Sequence, residues 1–172
     1  MITKILSEEH QHILKLVELL EKECSNPAKE VSDSFFLRVI QFIKKYADQF
    51  HHRKEEDILF VELNQKAETM HCNPTYQMLH EHDLGRQMVR EMEEGIKTKD
   101  KGRVLNGAKG YSQLIKEHIY KEDNILYPMA EETLGEKEKK ELSQRFMEAD
   151  QKNKRLKEEG LEILNELMKV SR

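Results

Sequence analysis

The stretch FFLRVIQFIKKYADQFHHRKEEDILF, residues 35–60, decides how the chain is read. Phe35, Phe36, Val39, Ile40, Ile43, Ala47 and Phe50 recur at steps of three and four, the period of a helix that buries one face. The run then meets His51, His52, Glu55, Glu56 and Asp57 and turns apolar again at Ile58, Leu59 and Phe60. The same pattern returns as HIYKEDNILY, residues 118–127. Aligning Lys54-Glu55 with Lys121-Glu122 pairs His51 with His118, Ile58 with Ile125, Leu59 with Leu126 and Phe60 with Tyr127. Metal-capable side chains therefore sit twice inside otherwise apolar helical segments.

The bulk composition agrees with a helical protein. A chain of 172 residues is long enough for one domain with a real core. Gly and Pro are scarce and charged residues make up 36%, which favours long amphipathic helices. A net charge of −4 gives no basic field for nucleic acid. No apolar run approaches the ~20 residues of a membrane span, and the N-terminal MITKILSEEHQH lacks the apolar core of a signal peptide. Cys24 and Cys72 share no motif spacing and suit a reducing cytoplasm.

Breakers divide the chain into five helical stretches. Helix 1 runs from Thr3 or Ser7 to Cys24, with Ser7 as a candidate cap, and SNPAKE (25–30) ends it. Helix 2 covers Val31 to Leu63, and MHCNPT (70–75) follows. Helix 3 covers Pro74 to Lys97, TKDKG makes a turn, and helix 4 covers Arg103 to Met129. Helix 5, Lys137 to Val170, carries a bend at Gly160. No period-two alternation suggests a sheet. Short connections favour antiparallel neighbours. The expected architecture is all-α: an up-down-up-down four-helix bundle over residues 1–132, with 133–172 as a C-terminal helical extension packed on the same domain. That extension is an ancillary helix or the surface of a homodimer.

Face assignments at about 100° per residue place the histidines. In helix 4, Leu114, Ile115, Ile119, Ile125 and Leu126 form the apolar stripe, and His118 and Glu122 lie within it, one turn apart. In helix 2, His51 and Glu55 lie nearer the stripe than His52 and Glu56. Those two fall at a flank, where His52 reads as solvated. In helix 3, Tyr76, Met78, Leu79, Val89, Met92 and Ile96 define the stripe and His82 sits near its centre. His80 points away, and Arg86 is an unusual cation on the inner side that pairs with a carboxylate or snorkels. Helix 1 leaves His10 and His12 open, at opposite borders of its stripe. The dipeptide Glu-His at 9–10, 81–82 and 117–118 leans towards His10.

A carboxylate or imidazole in a core is costly unless paired or metal-bound. Four core-facing histidines with two core-facing glutamates are hard to satisfy by mutual hydrogen bonds alone. Two metals bridged by the two carboxylates satisfy them, and an imidazole and carboxylate set without thiolate suits iron, with zinc or manganese as alternatives. Helical bundles house such dinuclear sites. Each imidazole of such a site needs a hydrogen-bond partner for its far ring nitrogen.

In order, EEHQHI (8–13), HHRKEEDILF (51–60), HEHDLGR (80–86) and EHIYKEDNILYP (117–128) make the chain resemble the hemerythrin-like, HHE cation-binding family over residues 3–132. The resemblance implies a four-helix bundle around a non-haem di-iron centre, two Fe per chain. It implies the metal ligands His10, His51, Glu55, His82, His118 and Glu122, and so chooses His10 over His12. Oxygen-carrying members have a second histidine on the third helix, four residues from the first; Met78 and Arg86 stand at those distances from His82 here. Reversible oxygen carriage is thereby in doubt, and an open position or a solvent ligand is expected instead. The implied function is binding or reacting with O2, peroxide or NO in sensing or stress defence. Iron storage, delivery or repair of damaged iron centres is an alternative, and so is a helical interaction module with a structural metal. Tyr111, on the face of His118, reads as a core tyrosine or as part of a ligand pocket.

Overall fold

The computed structural model describes residues 1–25, 32–69 and 72–170. The expected helix-2 start at Val31, most of the SNPAKE break, and Met70 and His71 of the second break lie outside the described residues. Among the described residues every regular element is helical. No helix among them is long and apolar enough to cross a membrane.

The first helix, α1 (Lys4–Cys24), begins at the earlier of the two expected starts. Ser7 is inside it and does not cap it, because its hydroxyl is committed to Asp123 Oδ1 at 2.7 Å on a distant helix. The second rod begins with α2 (Asp33–Phe42), capped by the Ser32 hydroxyl, which accepts from Phe35 N. It continues through π-helical turns at Ile43–His52 and Glu55–Leu59 into α3 (Phe60–Gln65). The third rod is α4 (Thr75–Thr98). Its end is set by Lys99 in the left-handed region (φ 57°), and the Asp100 side chain at once caps α5 (Lys101–Lys121) by accepting from Arg103 N. The fourth rod continues from α5 through a π-helical turn at Glu122–Leu126 into α6 (Tyr127–Thr133). The repeated sequence thus produces a repeated structure: each arm opens a π turn at its glutamate.

The C-terminal segment corrects one expectation. It is two helices, α7 (Glu136–Lys152) and α8 (Lys154–Val170), separated at Asn153 (φ −104°, ψ 16°). The chain does not break at Gly160, which lies buried within α8. The two helices follow the second rod backwards: α7 packs on Glu55–Leu59, and α8 packs on Ile43–His52 and α2.

Two apolar cores result. One joins Ile13 to Leu20 of α1, the Phe35–Phe50 run, Val89 and Met92, Val104 to Ile119, and Ile163, Leu164 and Leu167 of α8. The other joins Leu6, Ile58 to Leu63, Met78, Leu126 to Leu134, and Leu142 and Phe146 of α7. A polar layer lies between them. On α1 the chain passes from Leu6 of the second core through His10 to Ile13 of the first; on α4 it passes from Met78 through His82 to Val89. The second and fourth rods make the reverse passage, Phe50 through His51 to Ile58 and Ile115 through His118 to Leu126. Two stripe assignments fail. Tyr76 is 84% exposed in the first turn of α4, where Met78 faces the core instead. Ile125 is 52% exposed, whereas its counterpart Ile58 is covered by the core that α7 completes.

Candidate metal centre

His10, His51, Glu55, His82, His118 and Glu122 are all buried in the layer between the cores. Ligand atoms of His10, His51, Glu55 and Glu122 lie within 4.8 Å of one another, and so do those of His52, Glu55, His82 and His118. The two glutamates stand between the imidazole pairs. Glu122 lies 3.2 Å from His10 Nε2 through Oε2 and 3.2 Å from His118 Nε2 through Oε1. Glu55 Oε2 lies 3.6 Å from His51 Nε2 and 3.5 Å from His82 Nε2. His82 Nε2 and His118 Nε2 face each other at 3.0 Å. His12 takes no part: it is half-buried and its Nδ1 meets the Tyr46 hydroxyl at 2.9 Å.

The opposite ring nitrogen of each of these four histidines meets a carboxylate. His10 Nδ1 faces Asp123 at 3.0 Å, His51 Nδ1 faces Glu9 at 2.9 Å, His82 Nδ1 faces Glu56 at 2.8 Å and His118 Nδ1 faces Glu81 at 2.9 Å. Each carboxylate is itself held: Glu9 by Lys54, Glu81 by Lys121, Glu56 by Arg86 and Asp123 by Ser7. This arrangement fixes the imidazoles with Nε2 inward, and a carboxylate on the far ring nitrogen is the usual support of a metal-binding histidine. It follows the internal repeat. The glutamate before His10 orients His51 and the one before His82 orients His118. The acid after Glu55 orients His82 and the one after Glu122 orients His10. Two of these acids, Glu9 and Glu81, belong to the Glu-His dipeptides that leaned towards His10; the third dipeptide, at 117–118, has an exposed glutamate.

His52 is a correction. The helical angle puts it at a solvated flank, but it is 5% exposed and stacks on the His82 ring with centroids 3.8 Å apart and planes 13° apart. The angle misleads because residues 43–52 are π-helical, so the side chains advance around the rod differently from an α-helix. The repeat held the better signal: His52 aligns with Ile119, which is 3% exposed. Arg86 pairs with Asp48, Glu56 and Asp83, which resolves its place on the inner face, and His80 is exposed as expected.

Burial and neighbouring charge drive the two central glutamates apart. Burial would raise Glu122, but the charges of His118 and His10 outweigh it and hold this carboxyl well below the usual range. Burial and the neighbouring Glu122 push Glu55 well above that range; the Tyr127 hydroxyl donates to Glu55 Oε1 at 2.6 Å. Six buried side-chain atoms among the described residues have no hydrogen-bond partner: His51 Nε2, His52 Nδ1, Glu55 Oε2, both Glu122 oxygens and the Tyr111 hydroxyl. Buried polar atoms are rarely left so. Four of these atoms belong to the expected ligands, and bound cations would satisfy them; a donor set of imidazole and carboxylate suits iron, manganese or zinc. A cavity of about 360 Å³ reaches this layer, with His52, His82 and Tyr111 in its lining.

A family model for the Hemerythrin HHE cation binding domain matches residues 1–130. No curated protein and no solved structure matches the chain.

Proposed function

Because the chain belongs to the Hemerythrin HHE cation binding domain family, we propose that it is a non-haem di-iron protein that binds or reacts with O2, peroxide or NO in sensing or stress defence. The observation that carries this reading is that Glu55 Oε2 and both Glu122 oxygens lie buried between two imidazole pairs without a hydrogen bond. In this reading His10 and His51 would hold one iron and His82 and His118 the other, with Glu55 and Glu122 supplying carboxylate oxygens to the pair. The same reading takes residues 1–132 as an up-down-up-down bundle and 133–172 as an extension of one domain. The alternating passage of the four rods between the two cores supports the first, and the burial of Leu142, Phe146, Ile163 and Leu164 in those cores supports the second. The free cysteines, Cys24 and Cys72, suit a cytoplasmic setting.

Bound iron supplies exchangeable coordination positions and one-electron redox chemistry for a diatomic or peroxide ligand. The chain's own residues supply the rest. The four carboxylates keep the imidazole Nε2 atoms pointing inward. The apolar cores on either side exclude water. The cavity beside His82 admits a small molecule, and the Tyr111 hydroxyl, 1% exposed and unpartnered, offers it a hydrogen bond.

Anaerobic reconstitution with ferrous iron tests the reading. Two iron atoms per chain are expected, with new near-ultraviolet absorption after O2 and a different spectrum after NO. Iron content well below one per chain sinks the di-iron assignment. Two irons with a spectrum indifferent to O2 and NO would favour a structural metal in a helical interaction module.

A further inference from the structure

We propose that the cleft between the second and third rods binds an organic hydroperoxide as substrate; this deepens the dinuclear reading above and rests on it. The cleft measures about 360 Å³. A water's share of liquid volume is about 30 Å³, so the space is far larger than O2, NO or hydrogen peroxide needs. It falls within the range of ~300–1,000 Å³ usual for sites that take small organic ligands. Ile43 of the second rod, Val89 of the third and Ile115 of the fourth give it buried apolar walls. His82 also lines it, so a molecule held there lies against the metal layer. Gly85 keeps the space open. It is buried in the interior of α4, where glycine weakens a helix. Crowding does not demand it: a Cβ built there would meet Tyr111 Cε2 at an ordinary 3.7 Å, whereas at Gly95 and Gly160 a Cβ would lie 2.7 Å from a neighbour. What the missing side chain of Gly85 provides is room.

The lining also chooses the head of the ligand. Tyr111 is buried in it, and its hydroxyl has no partner among the described residues, a costly arrangement unless something else accepts the bond. The oxygen of a hydroperoxide or an alcohol accepts it. The charges in the lining are already balanced: Lys44 pairs with Glu93, Arg86 with Asp48 and Glu81 with Lys121. Arg90 adds one further charge, on an exposed side chain. An apolar body with a neutral oxygen head therefore fits better than a carboxylate. The reaction is a two-electron reduction. The O–O bond breaks, two ferrous ions each give one electron, and two protons from solvent complete an alcohol and a water.

Titration calorimetry of the metal-free full chain with 2-phenyl-2-propanol, the alcohol that cumene hydroperoxide leaves, tests the cleft without iron. One equivalent is expected to bind the wild type. Tyr111→Phe should weaken it about tenfold, the loss of one hydrogen bond, and Gly85→Leu, which fills the cleft, should abolish it. Should Gly85→Leu not fold, Tyr111→Phe decides. No binding by the wild type, or equal binding by both variants, would overturn the site and leave it to water. In the iron-loaded ferrous protein, followed by stopped-flow absorption, cumene hydroperoxide should react about tenfold faster than hydrogen peroxide at equal concentration. Gly85→Leu should erase that preference. A wild type with no preference would overturn the hydroperoxide as substrate. Iron content well below one per chain would instead overturn the dinuclear reading, and the substrate with it, while the alcohol titration still reports on the cleft.

Discussion

Glu122 is wholly buried, and without metal it is balanced by protons on its neighbours. Burial opposes a charge on His118, yet Glu122 and Glu81 raise its pKa to about 10; burial opposes one on His10, yet Asp123 and Glu122 raise it to about 9. Both folded values lie above the ordinary 6.5. Their stabilisation is therefore complete below pH 6.5 and is lost as pH rises through 9 and 10, on the order of a few kcal/mol in all. The thermal midpoint of metal-free protein should fall between pH 7.5 and 10. Metal affinity should rise over the same range, because imidazoles bind metal only after losing those protons. A metal-free midpoint that is flat or rising there would refute the proton balance. The carboxylates behind the rings give a second test. Glu81→Gln leaves His118 Nδ1 facing an amide, and metal affinity measured by chelator competition should weaken about 10–100-fold. Glu117→Gln, the exposed acid directly before His118, should change nothing. At this scale the sequence was informative where two signals coincided. His51, Glu55, His118 and Glu122 sit both in an apolar stripe and in a repeat. Glu56 falls at a flank and Asp123 lies in no apolar stripe, and because their partners lie on other helices only contact reveals the pairing.

The π turns explain which face assignments survive. A four-residue step keeps His51 with Glu55 and His118 with Glu122 on one side in either helix type, since both stay within about one turn. Positions placed singly by α-helical angle are less secure, and His52 shows it. The boundary between α7 and α8 was illegible for another reason: Asn153 sits in a charged run, EADQKNKRLK, with no Pro or Gly to mark a stop. Gly160 looked like the weak point on propensity alone, but its role is close approach. A Cβ built there would lie 2.7 Å from Tyr46 Cβ and 3.0 Å from Tyr46 Cδ2. Tyr46 cannot move away easily, being fully buried with Phe42 and Phe50 against its ring at 5.1 and 5.3 Å. Gly160→Ala would gain ~1 kcal/mol of helix propensity and lose about 1–3 kcal/mol to overpacking. The urea midpoint should therefore fall. A more stable alanine variant would mean that α8 can lift from the second rod at little cost.

Across the whole molecule, the fold class was readable because every long segment has helical periodicity and the breakers are sharp. The role of the C-terminal helices was not, because charge-rich helices read as solvated whatever they cover. Lys54 shows what they do. It is 1% exposed, lies 4.0 Å over the Phe50 ring, and joins Glu9 on α1 to Asp150 on α7, the latter at 2.6 Å. Glu9 in turn orients His51, and burial pushes its pKa up to about 7 even against the pull of Lys54. The C-terminal extension is therefore wired to the metal layer through one buried cation. Removing Asp150 leaves Lys54 with a single carboxylate partner in an almost dry site, and an unmet hydrogen-bonding group there costs about 1–3 kcal/mol. Lys54 would then lean harder on Glu9 and draw that carboxylate away from His51 Nδ1. Asp150→Ala should lower the denaturation midpoint and also weaken metal binding, although residue 150 touches no ligand. Glu158→Ala, which breaks only an exposed pair with Lys154 on α8, should do neither. If Asp150→Ala lowers stability but leaves chelator competition unchanged, the extension covers the second rod without tuning the centre beneath it.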